Sequence, residues 1–144
     1  MTIDTEPRMR MVKHTLAPRE LAPAAGPFVH GIAVENCRLV WTSGLLARDS
    51  RGAIVGKGDI TAQTQQCIAN LSQVLAAGGA SLQDVIKLTV YLREADPLQY
   101  AAMNAVRSEL LSGASFASTT VQAGFFAEGA LIEIEALAAI PLRD

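Results

Sequence analysis

The chain has little of what a metal site or a histidine-based catalytic centre needs. It contains two cysteines, Cys37 and Cys67, that are far apart in the chain, and two isolated histidines, His14 and His30. No CxxC or Cys/His spacing is present, which argues against a zinc site and agrees with reduced thiols in a cytoplasm. The two histidines are too isolated to act as metal ligands or as catalytic bases. We therefore expect a cytoplasmic protein that is colourless and contains neither metal nor cofactor.

Basic charge and long apolar runs are scarce as well. Twelve lysines and arginines stand against fourteen acidic residues, a net charge of -2, so no basic patch is available to neutralise phosphates. Every apolar stretch is interrupted well before the roughly 20 residues that a membrane helix needs. The first residues include Asp4 and Glu6 and do not resemble a secretory signal. These absences predict no nucleic-acid partner and no membrane association.

Hydrophobic periodicity and turn residues predict the order of the secondary structure. Asp59 is a good N-cap for a helix that Gly78 ends, and Asp96 followed by Pro97 begins a second helix. The expected strands are, in order, Val12 to Leu16, Phe28 to Val34, Leu39 to Ser43, Val85 to Leu92, Phe116 to Gln122 and Leu131 to Ile140. A hairpin turn is expected at residues 35–37, between the second and third strands.

This order predicts an α+β sandwich, a mixed β-sheet with two helices on one face. We assign residues 1–24 to an irregular N-terminal segment with a weak strand, and residues 25–144 to the domain itself. Trp41 and Met103 are interpreted as core residues. The uncovered face should form a subunit or ligand surface. We expect it to carry the following side chains: Lys87, Thr89, Tyr91, Ser118, Thr120, Glu133 and Glu135.

Several motifs occur together over about five-sixths of the chain. They are A-P-A-A-G-P-F at 22–28, T-S-G at 42–44, D-I-T-A-Q-T-Q-Q-C-I-A-N-L at 59–71, V-I-K-L-T-V-Y-L at 85–92 and I-E-I-E-A at 132–136. In this order they resemble the reactive intermediate deaminase family, RidA/YjgF. The resemblance implies a chorismate-mutase-like fold and a homotrimer with small-molecule clefts between subunits. It also implies hydrolysis of enamines or imines to keto acids and ammonia without a cofactor.

The resemblance also implies a set of site residues. Glu133 takes the position of the family's acidic catalytic residue, Gly44 that of a glycine that donates its backbone N–H, and Ser43 precedes it. Phe28 stands where the family has tyrosine. Ser118 replaces the arginine that grips the substrate carboxylate, and Thr120 replaces a cysteine.

The serine changes the expected chemistry. Arginine offers a charged bidentate fork, whereas Ser118 offers one neutral hydroxyl. We therefore expect that the protein does not act as a standard 2-iminopropionate deaminase, and that Ser118→Arg restores part of that activity.

Other interpretations stay open at this point. Glu135 is more simply a structural group paired with Lys87, and Glu133 is either a site carboxylate or an acceptor between subunits. One hypothesis is a deaminase-type hydrolase that acts on a substrate other than simple 2-imino acids. Such a substrate has no charge, or its charge is neutralised by Arg48, Arg51 or Lys57. Alternatively the protein is a non-catalytic trimeric ligand-binding or regulatory protein. An endoribonuclease comes last, because the chain has neither a histidine pair nor a basic groove.

Overall fold

The structure, a computed structural model, describes residues 9–143. Helix α1 is Ile60–Ala77, helix α2 is Pro97–Leu110, and a 3₁₀ turn spans Leu82–Asp84. The strands are β1 (Val12–Leu16), β2 (Gly31–Glu35), β3 (Cys37–Trp41), β4 (Leu45–Leu46), β5 (Val85–Leu92), β6 (Ala117–Gln122) and β7 (Ile132–Pro141). Residues 1–8 of the predicted N-terminal segment lie outside the described part. The division between residues 24 and 25 stays a prediction, although β1 forms where the weak strand was expected.

Both helices begin at the predicted caps. Asp59 Oδ1 accepts the backbone N–H of Ala62 at 3.0 Å, and Gly78 follows the last residue of α1. Asp96 Oδ1 accepts the N–H of Leu98 at 3.0 Å, with Pro97 at the first helical position. Each cap satisfies a backbone donor that has no partner within its own helix.

The main sheet has the strand order β3-β7-β5-β6, and β4 pairs with β7 as well. Strands β5 and β6 run parallel, whereas β7 is antiparallel to β3, β4 and β5. Strands β1 and β2 form a separate antiparallel pair. The predicted hairpin between β2 and β3 is therefore wrong. Asn36 does make a turn, with φ of 53°, but the strands on its two sides belong to different sheets.

The two helices cover one face of the main sheet, which confirms the predicted α+β architecture. Ile132 and Ile134 of β7 are buried on this face with Leu88 of β5 and with Met103 of α2, as predicted for the methionine. The assignment of Trp41 to the core is wrong, because its side chain is 66% exposed. Trp41 pairs with Leu137, whose side chain lies on the face that no helix covers. No helix within residues 9–143 is both long and apolar enough to cross a membrane.

Candidate functional site

Glu133 and Gly44 are in direct contact on the open face of the sheet. Thr42 fixes the loop between β3 and β4, because its N–H donates to Ala136 O and its Oγ1 accepts the Ala136 N–H, both at 3.0 Å. This places Gly44 against the Glu133 carboxylate so closely that a Cβ at residue 44 would overlap Oε1. A side chain at position 44 is therefore excluded while Glu133 keeps this position. Ser43, which precedes Gly44, is exposed.

Glu135 has a different partner from the one predicted. The hydroxyl of Tyr91 donates to Glu135 Oε1 at 3.0 Å, whereas Lys87 Nζ donates to Thr119 Oγ1 at 2.7 Å. The hydrogen bond to Glu135 raises the pKa of Tyr91 above its ordinary value. The predicted pairing of Glu135 with Lys87 is thus wrong, while its interpretation as a hydrogen-bonded structural group fits this contact.

Ser118 and Thr120 lie on the helix-covered face, and their predicted place on the open face is wrong. Ser118 pairs with Leu88 and Thr120 with Val90, and both of these β5 residues are buried beneath the helices. Thr119 is the residue of β6 that lies beside Lys87 on the open face. A shift of one position along a strand moves a side chain to the other face, and β6 has no apolar alternation to indicate its register.

The structure brings Arg107 of α2 to Ser118, a contact that the sequence analysis missed. Arg107 Nη1 donates to Ser118 Oγ at 2.7 Å, and Nη2 donates to Asn104 Oδ1. The Arg107 side chain is only 1% exposed, and its buried Nε has no hydrogen-bond partner. The guanidinium carbon lies 5.7 Å from the ring centre of Phe28 and 5.8 Å from that of Phe116.

Burial lowers the pKa of Arg107 below its ordinary value, and neighbouring Tyr100 acts in the opposite direction. The hydrogen-bond acceptors of this guanidinium within the described chain, Ser118 Oγ and Asn104 Oδ1, are neutral, and none is a carboxylate. One sequence signal pointed to it. Arg107 falls on the same helical stripe as Met103, where the other residues face the core.

A cavity of about 370 Å³ adjoins this arginine. Phe28, Phe116 and Arg107 line it together with the segments 26–29 and 111–116. Arg107 is the one charged side chain among the described residues that line the cavity. The cavity therefore combines two aromatic rings with a single positive charge.

The candidate residues form two groups on opposite faces of the sheet. We call Phe28, Arg107, Ser118 and Thr120 the arginine group, and Ser43, Gly44 and Glu133 the glutamate group. Strand β5 lies between β6 and β7, so the strands that carry the two groups are about 10 Å apart across the sheet. One copy of the chain does not bring the two groups into one cleft.

Of the three other predicted cations, Arg48 lies closest to the glutamate group along the chain. It lines a recess of about 380 Å³ with Gly44 and Asn70, and its Nη1 donates to the carbonyl of Gly52. The side chain of Lys57 packs against Gly129. In the part of the chain that the structure describes, no three histidine, cysteine, aspartate or glutamate side chains gather to hold a metal ion.

Comparison with known proteins identifies the family and the fold. The profile of the family described as Endoribonuclease L-PSP matches residues 19–140. A RutC family protein of Pyrococcus abyssi is 34% identical over 128 residues, which cover 89% of this chain and 98% of that protein. The 3-aminoacrylate deaminase RutC of Acinetobacter baylyi is 33% identical over the same shares of the two chains. Among solved structures, YyfB from Yersinia pestis, a protein of unknown function of the conserved Rid family, is 32% identical with a TM-score of 0.77, over 89% of this chain and 98% of that one.

Proposed function

Since the chain belongs to the Endoribonuclease L-PSP family, the Rid or RidA/YjgF family, we propose that it is a cofactor-independent hydrolase of the deaminase type. Its substrate is an enamine or imine, held in a cleft between subunits of a homotrimer. A relative at 33% identity carries the name 3-aminoacrylate deaminase, which supports this reaction class. A cytoplasmic location and the absence of a nucleic-acid partner stay predictions.

The separation of the two residue groups carries the proposal. The glutamate group lies on the open face near β7, and the arginine group lies on the helix face at edge strand β6. A cleft that uses both groups needs the glutamate group of one subunit and the arginine group of another. The open face also exposes Trp41 and Val121, which are large apolar side chains suited to burial between subunits.

The chemistry requires few groups. After a proton moves to the enamine carbon, water adds to the resulting imine carbon, the C–N bond breaks, and a carbonyl compound and ammonia leave. Glu133 takes the proton of the attacking water and returns it to the departing amine. Gly44 lies against the Glu133 carboxylate and leaves it the room to keep this position.

Because residue 118 is serine, we do not expect a standard 2-iminopropionate deaminase. An arginine on β6 would extend its charge away from the strand, whereas the Arg107 guanidinium is held at Ser118 Oγ, close to the strand itself. A substrate whose carboxylate is separated from the reacting carbon spans this larger distance better. Turnover of 3-aminoacrylate should therefore exceed turnover of 2-iminopropionate. The first is measured by the release of ammonia, and the second by competition with semicarbazone formation.

Mixed oligomers test the intersubunit cleft directly. Glu133→Gln disables the glutamate group and Ser118→Asp places a repelling carboxylate in the arginine group, so each homo-oligomer should be inactive. When the two variants are co-expressed with different tags, about a quarter of the clefts combine two intact groups. About a quarter of wild-type turnover should then return. No recovery in a co-purified mixed oligomer would contradict the shared cleft. Light scattering that gives the mass of one chain, 15.2 kDa, would contradict the oligomer.

The non-catalytic alternative makes the opposite prediction for the wild type. A regulatory ligand-binding protein releases ammonia from neither substrate, although it binds stable analogues of them. Wild-type protein that is oligomeric, binds such an analogue and yet does not exceed the uncatalysed rate would replace the hydrolase with this function.

A further inference from the structure

We infer that two side-chain amides of helix α1, Gln63 and Asn70, are positioning residues for the proposed reaction. Together they hold segment 44–58 and the entry to β7 in the arrangement that places Gly44 against the Glu133 carboxylate. We call Gln63 and Asn70 the amide clamp. Both act through backbone groups of other elements. The inference rests on the proposed function and adds the residues that set the geometry of its carboxylate.

Gln63 joins two loops through one buried amide. Its side chain is 0% exposed. Nε2 donates to the carbonyl of Gly129 at 2.8 Å and to that of Gly56 at 3.3 Å, while Oε1 accepts the N–H of Leu131 at 2.8 Å. Both N–H donors and the oxygen of the amide are thus used on backbone groups. Gly56 lies near the end of segment 44–58, whereas Gly129 and Leu131 precede β7, so Gln63 connects two parts that are remote in the chain.

Asn70 holds the beginning of the same segment. Its Nδ2 donates to the carbonyls of Leu46 and Arg48, at 3.0 and 2.9 Å, and its Oδ1 accepts a hydrogen bond from Gln66 Nε2 at 2.9 Å. Gln63 and Asn70 are seven residues apart, which puts them about two turns from each other on the same face of a helix. Helix α1 therefore holds segment 44–58 near both of its ends.

The clamped backbone groups lie beside the two residues whose contact defines the glutamate group. Gly44 stands two residues before Leu46, and Glu133 stands two residues after Leu131. Leu46 is also paired with Glu133 where β4 lies beside β7. Gly44 and Glu133 are so close that a Cβ at residue 44 would overlap Glu133 Oε1. A small shift of the backbone at Leu46 or Leu131 therefore changes the position of the carboxylate.

Segment 44–58 lies directly on the helix at Gly56. This residue has a φ of 63°, and a Cβ on it would lie 2.9 Å from the Cβ of Ala62 and 3.4 Å from the Cγ of Gln63. Glycine suits both the positive φ and the close approach. If the amide of Gln63 is removed, the carbonyls of Gly56 and Gly129 lose this donor. They regain a partner when the two loops move outwards to water.

Hydrogen exchange tests the clamp without any turnover. Gln63→Met puts an unbranched apolar side chain in place of the amide, and the N–H of Leu131 should then exchange at least about tenfold faster. Asn70→Ala removes a half-buried amide, and segment 44–58 should exchange faster by a similar factor. Both rates are taken relative to helix α2 in the same sample, which corrects for a change in global stability. Unchanged relative rates in both variants would overturn the inference.

Two matched controls lie on the same helix. Thr64 is also 0% exposed, but its hydroxyl donates to the carbonyl of Ile60, within α1, at 2.7 Å. Gln73 is an exposed amide that lines the same recess as Asn70. Thr64→Val and Gln73→Ala should therefore leave the relative exchange of both loops and the turnover at their wild-type values. An equal effect of the controls would show that any change on α1 disturbs the loops, and would overturn the specific role of the two amides.

A double-mutant cycle with Gly44→Ala separates positioning from stabilisation of the fold. In folded Asn70→Ala, kcat for 3-aminoacrylate should fall about tenfold to a hundredfold with KM nearly unchanged, because the carboxylate is displaced and the substrate contacts are not. Gly44→Ala displaces the same carboxylate. Adding Asn70→Ala to it should therefore lower kcat by at most about a further threefold. Losses that multiply in full would show that the two residues act independently, against the inference.

The outcomes separate this inference from the proposed function. If the wild type turns over 3-aminoacrylate and both clamp variants keep its kcat, the two amides are structural and the inference fails while the hydrolase stands. If the wild type has no turnover but exchange rises as expected, the clamp stands as the element that holds the glutamate group, and the hydrolase fails. Circular dichroism identifies the folded variants, and Asn70→Ala alone decides the outcome if Gln63→Met does not fold.

Discussion

Gly44→Ala tests whether the position of the Glu133 carboxylate matters for catalysis. A Cβ at residue 44 would overlap Oε1 of Glu133 and would lie 2.8 Å from its carboxyl carbon. Since carbon and oxygen atoms without a covalent bond stay more than about 3 Å apart, the carboxylate must move by about 1 Å or more. A displacement of this size in a catalytic group lowers turnover by on the order of a hundredfold. The free energy of unfolding should change by less than about 1 kcal/mol, because the atoms that must move belong to the far end of a flexible side chain.

The matched control is Gly124→Ala. Nothing lies within 4 Å of a Cβ at residue 124, so this variant changes the same residue type without a steric conflict. It should keep wild-type turnover and gain up to about 1 kcal/mol of stability through the lower entropy of its unfolded chain. Ammonia release and urea unfolding are measured on both variants. Wild-type turnover in Gly44→Ala, or an equal loss in Gly124→Ala, would refute the role assigned to the contact between Gly44 and Glu133.

Two further predictions concern a buried thiol and the serine beside Arg107. Burial raises the pKa of Cys67 from 9.0 to about 12, so the folded state holds this proton more tightly than the unfolded state. This contribution to the free energy of unfolding is complete below pH 9 and is lost as the pH rises towards 12, by up to about 4 kcal/mol. When the free energy of unfolding is measured with urea over this pH range, Cys67→Val should lack this part of the decline. Contrary to the expectation from the sequence, Ser118→Arg should not restore 2-iminopropionate turnover, and it should lower stability by about 1 to 4 kcal/mol, because it brings a second guanidinium to the buried position that Arg107 already occupies. Activity gained by Ser118→Arg alone, or a pH profile unchanged by Cys67→Val, would contradict the respective argument.

Local chemistry explains which parts of the fold the sequence predicts. The caps at Asp59 and Asp96 act on backbone donors two or three residues away, so the sequence contains everything that fixes where the helices begin. The alternation of Val85–Leu92 predicts β5 at its observed bounds because Leu88, Val90 and Leu92 are buried on one face of this strand. In both cases the residues that form the structure are neighbours in the chain.

Pairing between distant strands explains the errors. Trp41 suits a core by its size, but β3 pairs with β7 in a register that places it beside Leu137 on the open face. The turn at Asn36 has a conformation that suits a hairpin, yet the strands on its two sides pair with different partners. The face of Ser118 follows from the register of β6 on β5, which the polar sequence of β6 does not encode.

The site shows the same limit in its chemistry. When residue 118 alone is compared with the family, serine indicates the loss of a cation. The sequence shows which residue stands at position 118, but not which side chains from other elements lie beside it. Arg107 comes from another element and donates to the serine hydroxyl, so a guanidinium does lie beside residue 118 in the fold. The two are interdependent: the small serine leaves room for the guanidinium, and the guanidinium uses the serine as an acceptor. A substitution at either residue therefore changes the role of the other, and the pair, rather than residue 118, is the unit to compare between members of this family.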